Sequence, residues 1–187
     1  MTAALVGLIC VALSAAILIG LHFLPTALDP VRFAVSDYGW TAYHLGYRAL
    51  VVLQGLGAIL IAVGLGQETD AQSLGWLYVY GVVRILVAGF MTDREPEGLF
   101  SLTRTGRIHV LLAGTAFASI AVAASHLDWT GKPDILGPLG WIVTATAIAT
   151  GTALVVTPIR RLALGLIERL HYAAAITWLI VVAASIL

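Results

Sequence analysis

Apolar residues run along this chain in six stretches, each about as long as a membrane is thick and parted by short polar connections. The stretches cover about 2–24, 41–66, 73–92, 105–127, 136–157 and 165–187. About 20 consecutive apolar residues in a helix cross a bilayer core. Inside lipid every backbone N–H and C=O needs an internal partner, which leaves helices or a closed barrel. These stretches are too long and uniform for barrel strands, so the pattern predicts an all-α, polytopic bundle of six transmembrane helices forming one membrane domain. Pro25 and Pro158 mark the end of the first span and a break before the last. Polar turns fall at Gln67-Glu68-Thr69-Asp70, at Asp93-Arg94-Glu95-Pro96-Glu97-Gly98, and from Asp128 to Asp134. Arg160 and Arg161 are expected in the turn before the last span. Small residues at helical spacing, such as Ala58, Ala62 and Gly66, predict close helix packing.

Composition points the same way. Of 187 residues, 60% are hydrophobic and 11% charged, with mean hydropathy +0.98; soluble domains carry about a quarter charged residues. A soluble enzyme and a basic nucleic-acid binder are excluded. The single cysteine, Cys10, allows neither an internal disulfide nor a cysteine zinc cage. The N-terminus has no basic n-region, so its apolar stretch reads as a retained span in a multi-pass plasma-membrane protein.

Net charge is zero, yet the charges are sorted. Six spans give two faces. The one built from connections one, three and five collects nine arginines against six carboxylates, and the other one lysine against four. His22, His44, His109 and His171 follow the arginines. By the positive-inside rule this face is cytoplasmic. Arg84 falls in the middle of the third span, where an unpaired charge costs at least about 2.5–3.5 kcal/mol. It is therefore expected to pair with an acid, Glu168, Asp37 or Asp93. Arg48 shares a helix face with His44, and Glu168 with His171. Arg107 and His109 are expected to open the fourth span, and Glu168, Arg169 and His171 the sixth.

Three patches carry a family resemblance. They are Asp29-Pro-Val-Arg-Phe-Ala-Val-Ser-Asp-Tyr-Gly, then Ala88-Gly-Phe-Met-Thr-Asp with Thr105-Gly-Arg-Ile-His, and finally Gly165-Leu-Ile-Glu-Arg-Leu. In order and frame the chain resembles the domain-of-unknown-function 998 family of small six-span prokaryotic membrane proteins. The family's Ser-[Asp/Glu]-Tyr motif falls on Ser36, Asp37 and Tyr38. Its Phe-Pro-Thr-Asp motif falls on Phe90 to Asp93, with Met91 in place of the usual proline, and its Gly-x-x-His on Gly106 and His109. The family is similar to a broader six-span group linked to lipid remodelling, so the resemblance implies a fold more than an activity.

The residues admit three chemistries. Ser36 could attack an acyl group with His109 as base, although no nucleophile-elbow sequence is present. Zinc could be held by His109 with His44, His171 or Asp93, although no HxxxH or HExxH pair occurs. The third is acid–base catalysis on a lipid-like or isoprenoid-like amphipathic substrate: hydrolysis, transfer or protonation-driven cyclisation. Asp37, Asp93 or Glu168 would then act as acid or base with His109. Arg84, Arg107 and Arg169, with Arg48 and Tyr38, would bind the substrate. Tyr38, Trp40, Tyr43, Tyr47, Tyr80 and Trp178 could line the pocket and stabilise a cation. The expected partner is a membrane lipid or hydrophobic small molecule, and not nucleic acid; a homo-oligomer stays open, as does any cofactor. The rival class is a non-catalytic lipid-binding or scaffold protein whose polar cluster is an ion-pair network. Transport is least favoured, because the halves of the spans away from the polar face carry few polar residues.

Overall fold

The computed structural model describes residues 2–66, 71–94, 101–127 and 131–187. It is all-helical, with 80% helix and no strand among the described residues. The helices are α1 (Thr2–His22), α2 (His44–Leu65), α3 (Ala71–Val87), α4 (Arg104–His126), α5 (Leu136–Val155) and α6 (Thr157–Ala184), with a short 3₁₀ helix, η1 (Val35–Trp40), between α1 and α2. The polar turns at 67–70, at 95–98 and at 128–130 lie outside the described residues.

Five helices are long and apolar enough to cross a membrane: α1, α2, α4, α5 and α6. The third of the six expected spans falls short: α3 has 17 residues and ends at Val87 rather than near 92. Three successive turn hydrogen bonds, Ala88 to Ile85, Gly89 to Leu86 and Phe90 to Val87, tighten and stop it there.

The helices form a ring in chain order, closed by α6 against α1, with α2 also touching α6 across the middle. Small residues set the closest approaches. A Cβ on Gly57 would meet Val11 and the Gly7 carbonyl, and one on Gly55 would meet the Gly81 carbonyl. α1·α2 and α2·α3 thus pack backbone to backbone through glycines; Ala58 and Ala62 are buried as expected, whereas Gly66, expected in the same row, is the C-cap of α2 with open space around it. One continuous buried core includes Trp178, Leu179 and Val182 of α6 together with Leu50 and Ile61 of α2 and Leu77 of α3.

Two expectations about the last helix are corrected. α6 begins at Thr157, eight residues earlier than expected, and Pro158 lies in its first turn. Proline fits there because its missing N–H has no intrahelical partner to lose. Arg160 and Arg161 are consequently helical, and Glu168, Arg169 and His171 lie about three turns in rather than at the opening. Likewise α2 begins at His44, placing Arg48 about one turn inside it.

The connection between α1 and α2 folds back onto the bundle. Leu166 N–H donates to Val31 O (3.0 Å). Arg32 Nε donates to Arg161 O (3.3 Å), and Trp40 Nε1 donates to Thr92 O (2.8 Å). These bonds gather the first connection, the segment after α3 and the start of α6 at one end of the bundle.

Candidate functional site

At that end lies a cavity of about 740 Å³, walled by the first connection, residues after α3, and parts of α4, α5 and α6. Ser36, Asp37, Asp93, His109 and Glu168 all line it. Apolar side chains make up much of the helical wall, Val110, Ala113 and Phe117 from α4, Leu154 from α5 and Leu164 from α6, with the buried Thr150 of α5 among them.

Each polar residue is held by an identifiable local device. Glu168 is buried on α6, and its Oε2 accepts the Val35 N–H at 2.6 Å. Asp37 accepts the Ala34 N–H at 2.8 Å, pinning the start of η1. Asp93 braces the start of α4: one oxygen accepts the Thr103 N–H and the other the Thr103 hydroxyl, both at 2.6 Å. Thr103 is the N-cap, its oxygen in turn accepting from Gly106 N–H at 3.1 Å. The Asp93 carboxylate occupies the space where a Cβ on residue 106 would stand. That is the physical reason for glycine in the Gly-x-x-His pattern. A carboxylate at this position also complements the positive end of the helix dipole.

His109 follows less than two turns later, and its Nδ1–H donates to Phe90 O at 2.9 Å. A carbonyl only accepts, so Nδ1 carries the proton and Nε2 keeps its lone pair for a ligand. Ser36 is almost buried, yet no hydrogen bond joins it to His109 among the described residues. The nucleophile–base contact required for acyl transfer by this pair is thus not formed.

The expected arginines are placed differently from the expected carboxylates. Arg169 clamps the first connection: Nη1 donates to Phe33 O (2.7 Å) and Gly165 O (2.9 Å), and Nε to His22 Nε2 (2.7 Å). Its guanidinium also faces the Tyr38 ring at 5.8 Å. A Cβ on Gly165 would overlap the carbonyls of Phe33 and Pro30. Glycine here admits the connection against α6. Arg107 Nε donates to Leu102 O at 3.0 Å, and Arg48 reaches Met91 Sδ at 3.9 Å. None of Arg48, Arg107, Arg169 and Tyr38 lines the cavity. The arginines that do are Arg32, Arg94, Arg160 and Arg161, with Arg94 stacked over Trp40 at 5.9 Å.

Arg84 is fully buried on α3. The expected acid partner is corrected: among the described residues Arg84 pairs with no carboxylate. Its Nη2 donates to Gln54 Oε1 (2.6 Å) and Tyr172 Oη (2.8 Å), and its guanidinium lies 4.8 Å from the Tyr172 ring centre. Glu168 precedes Tyr172 by one turn on α6, so it stands one turn nearer the first connection and binds Val35 instead. Among the described residues the Arg84 Nε finds no hydrogen-bond partner. Gln54, Tyr80, Arg84, His171 and Phe117 border a small inner void, and Phe117 also lines the main cavity.

His171 Nδ1 lies 3.1 Å from Thr146 Oγ1, and its ring meets Phe117 edge-on at 4.5 Å. No group of three or more His, Cys, Asp or Glu suited to a metal occurs among the described residues. His44, His109 and His171 are not brought together as ligands.

Of the expected pocket aromatics, Trp40 lines the cavity and Tyr80 the inner void. Sequence reasoning missed Tyr172 and the four cavity arginines. The signal for Arg160 and Arg161 was Pro158: read as a first-turn residue, it extends α6 back to include them.

Five membrane-length apolar helices and a polar cavity gathered at one end define a multi-pass helical membrane protein. Its family is fixed by a match over residues 8–185 to the family described as "Protein of unknown function (DUF998)", and the chain belongs to it. No curated protein and no solved structure matches the chain significantly.

Proposed function

We propose that this protein is a membrane-embedded enzyme that acts on a lipid-like amphipathic substrate by acid–base chemistry. The supporting observation is the pairing of Glu168 on α6 with His109 on α4. Both are buried, and both line one apolar-walled cavity although their helices are not ring neighbours. A carboxyl in a dry site can deliver a proton, and an imidazole with a free Nε2 can accept one. Asp37, held by Ala34, supports the acid side. Asp93 acts through α4, positioning His109 rather than touching substrate. Burial of the reacting group excludes water from a cationic intermediate.

In this reading α3 is the sixth span and the protein resides in the plasma membrane. α3 begins after α2 has left the polar end and returns there, as the bond from Trp40 to Thr92 requires. Its length of about 26 Å crosses a locally thinned bilayer.

The test uses protein in lipid nanodiscs incubated with a total lipid extract, followed by mass spectrometry of the extract. The expected result is depletion of one amphiphile by the wild type and none by Glu168→Gln or His109→Ala. Equal turnover by these variants, or no change with the wild type, would overturn the proposal. A second reading, a non-catalytic lipid-binding protein, is favoured by the structural bonds of Asp93 and Arg169. It predicts a bound lipid that leaves unchanged.

A further inference from the structure

We infer that the ligand of this cavity carries a phosphate-type head, bound at the mouth by arginines, and that its reacting group lies about 10 Å further along its chain. This inference rests on reading the cavity as a ligand site, and goes beyond that reading by naming the head group and where the chemistry falls on it.

The charge of the lining decides the head. Arg32, Arg94, Arg160 and Arg161 line the cavity, against the carboxylates of Asp37 and Asp93 beside them; Glu168 also lines it, and as the acid of the proposed reaction it carries its proton and adds no charge. Both carboxylates are already engaged by backbone N–H groups, of Ala34 and Thr103 respectively. Two positive charges remain over, which suits a phosphate monoester of about −1.5 to −2 better than a carboxylate of −1. Guanidinium groups also match the tetrahedral oxygens of phosphate by paired N–H donors. Neutral lipids offer these four side chains nothing.

The spacing decides where chemistry falls. From Arg161 to Glu168 is seven residues of α6, or about 10 Å along its axis, and from the Thr103 cap to His109 is six residues of α4, or about 9 Å. The acid therefore stands about as far along α6 from Arg161 as the base stands along α4 from the Thr103 cap that Asp93 holds, although α6 itself starts four residues before Arg161. Between mouth and depth the wall carries Leu164, and level with His109 and beyond it Val110, Ala113 and Phe117. A phosphate held at the mouth is too far from either group to be the reacting centre. The phosphate anchors, and a carbon position about seven or eight bonds inward meets Glu168 and His109.

The same phosphate chemistry could come from a lipid head or from free phosphate, and the experiment separates them. Binding of dodecyl phosphate, dodecanoate, dodecanol and inorganic phosphate is measured by isothermal titration calorimetry on the full protein in a neutral detergent. Dodecyl phosphate is expected to bind at least tenfold more tightly than dodecanoate, and dodecanol not measurably. Arg160→Gln/Arg161→Gln, and separately Arg32→Gln/Arg94→Gln, are each expected to weaken dodecyl phosphate at least tenfold with an unchanged melting temperature. Equal binding of phosphate and carboxylate, or no loss in either double variant, overturns the inference and leaves the arginines as markers of the membrane face. Inorganic phosphate binding as tightly as dodecyl phosphate overturns the anchored-chain part. Tight, arginine-dependent binding combined with normal turnover in Glu168→Gln leaves this inference standing and defeats the acid–base proposal.

Discussion

Asp93 and Gly106 form a pair whose coupling can be calculated before it is measured. Asp93→Ala removes the acceptors of the Thr103 N–H and hydroxyl. Hydrogen bonds to a charged acceptor contribute about 1.5–3 kcal/mol each, and partial exposure of this site lowers the joint loss to about 2–3 kcal/mol. For a chain of this size that corresponds to a melting-temperature fall of about 5–10 °C. Gly106→Ala in the wild type forces a methyl group onto the Asp93 carboxylate, an overpacking cost of about 1–3 kcal/mol. In the Asp93→Ala background that obstacle is gone. The same Gly106→Ala change should then be neutral or gain up to about 1 kcal/mol from helix propensity. The double variant is thus more stable than the sum of the singles by more than about 1 kcal/mol, well outside ordinary additivity error. Thermal unfolding in one detergent, followed by near-ultraviolet circular dichroism, measures the cycle. Additive effects would refute the bracing role of Asp93, as would an Asp93→Ala protein that melts normally.

Three further outcomes follow from the same contacts. Gly165→Ala should push the first connection off α6, lowering stability by about 1–3 kcal/mol and speeding amide exchange at Val35 and Leu166; unchanged exchange contradicts the clamp. Arg84→Met removes a buried charge that has no acid partner among the described residues, so thermal stability should hold or rise by up to about 4 kcal/mol. A clear fall would show that the arginine holds the helices together. Glu168→Gln and His109→Ala should keep the melting temperature within about 3 °C, since each loses about one hydrogen bond, while turnover of the lipid extract stops.

The sequence made the helical architecture legible because backbone satisfaction in lipid leaves so little choice, and five of the expected stretches appear as membrane-length helices. It also assembled side chains that line the cavity: Ser36, Asp37, Asp93, His109 and Glu168 come from four segments and meet in one space. Their separate duties were not legible. Asp93 and Arg169 look like catalytic or anion-binding groups in a list of residues, and only the fold shows one bracing α4 and the other clamping a connection. The partner of Arg84 was missed because electrostatic reasoning looked for a carboxylate. The bundle instead satisfies the guanidinium in part with an amide, a phenol hydroxyl and an aromatic face. Helix boundaries failed where proline was read as a breaker: at α6 it starts the helix, which moved two arginines from a turn to the cavity wall.

The central claim is that the cavity at the arginine-rich end holds an amphipathic ligand. Native mass spectrometry of protein extracted in mild detergent tests it most directly, comparing the wild type with Ala113→Trp, which fills the cavity one turn beyond His109. The account predicts one lipid-like mass retained per chain in the wild type and lost in Ala113→Trp, with both proteins folded. A wild type that emerges empty, or a mass that persists when the cavity is filled, would contradict it.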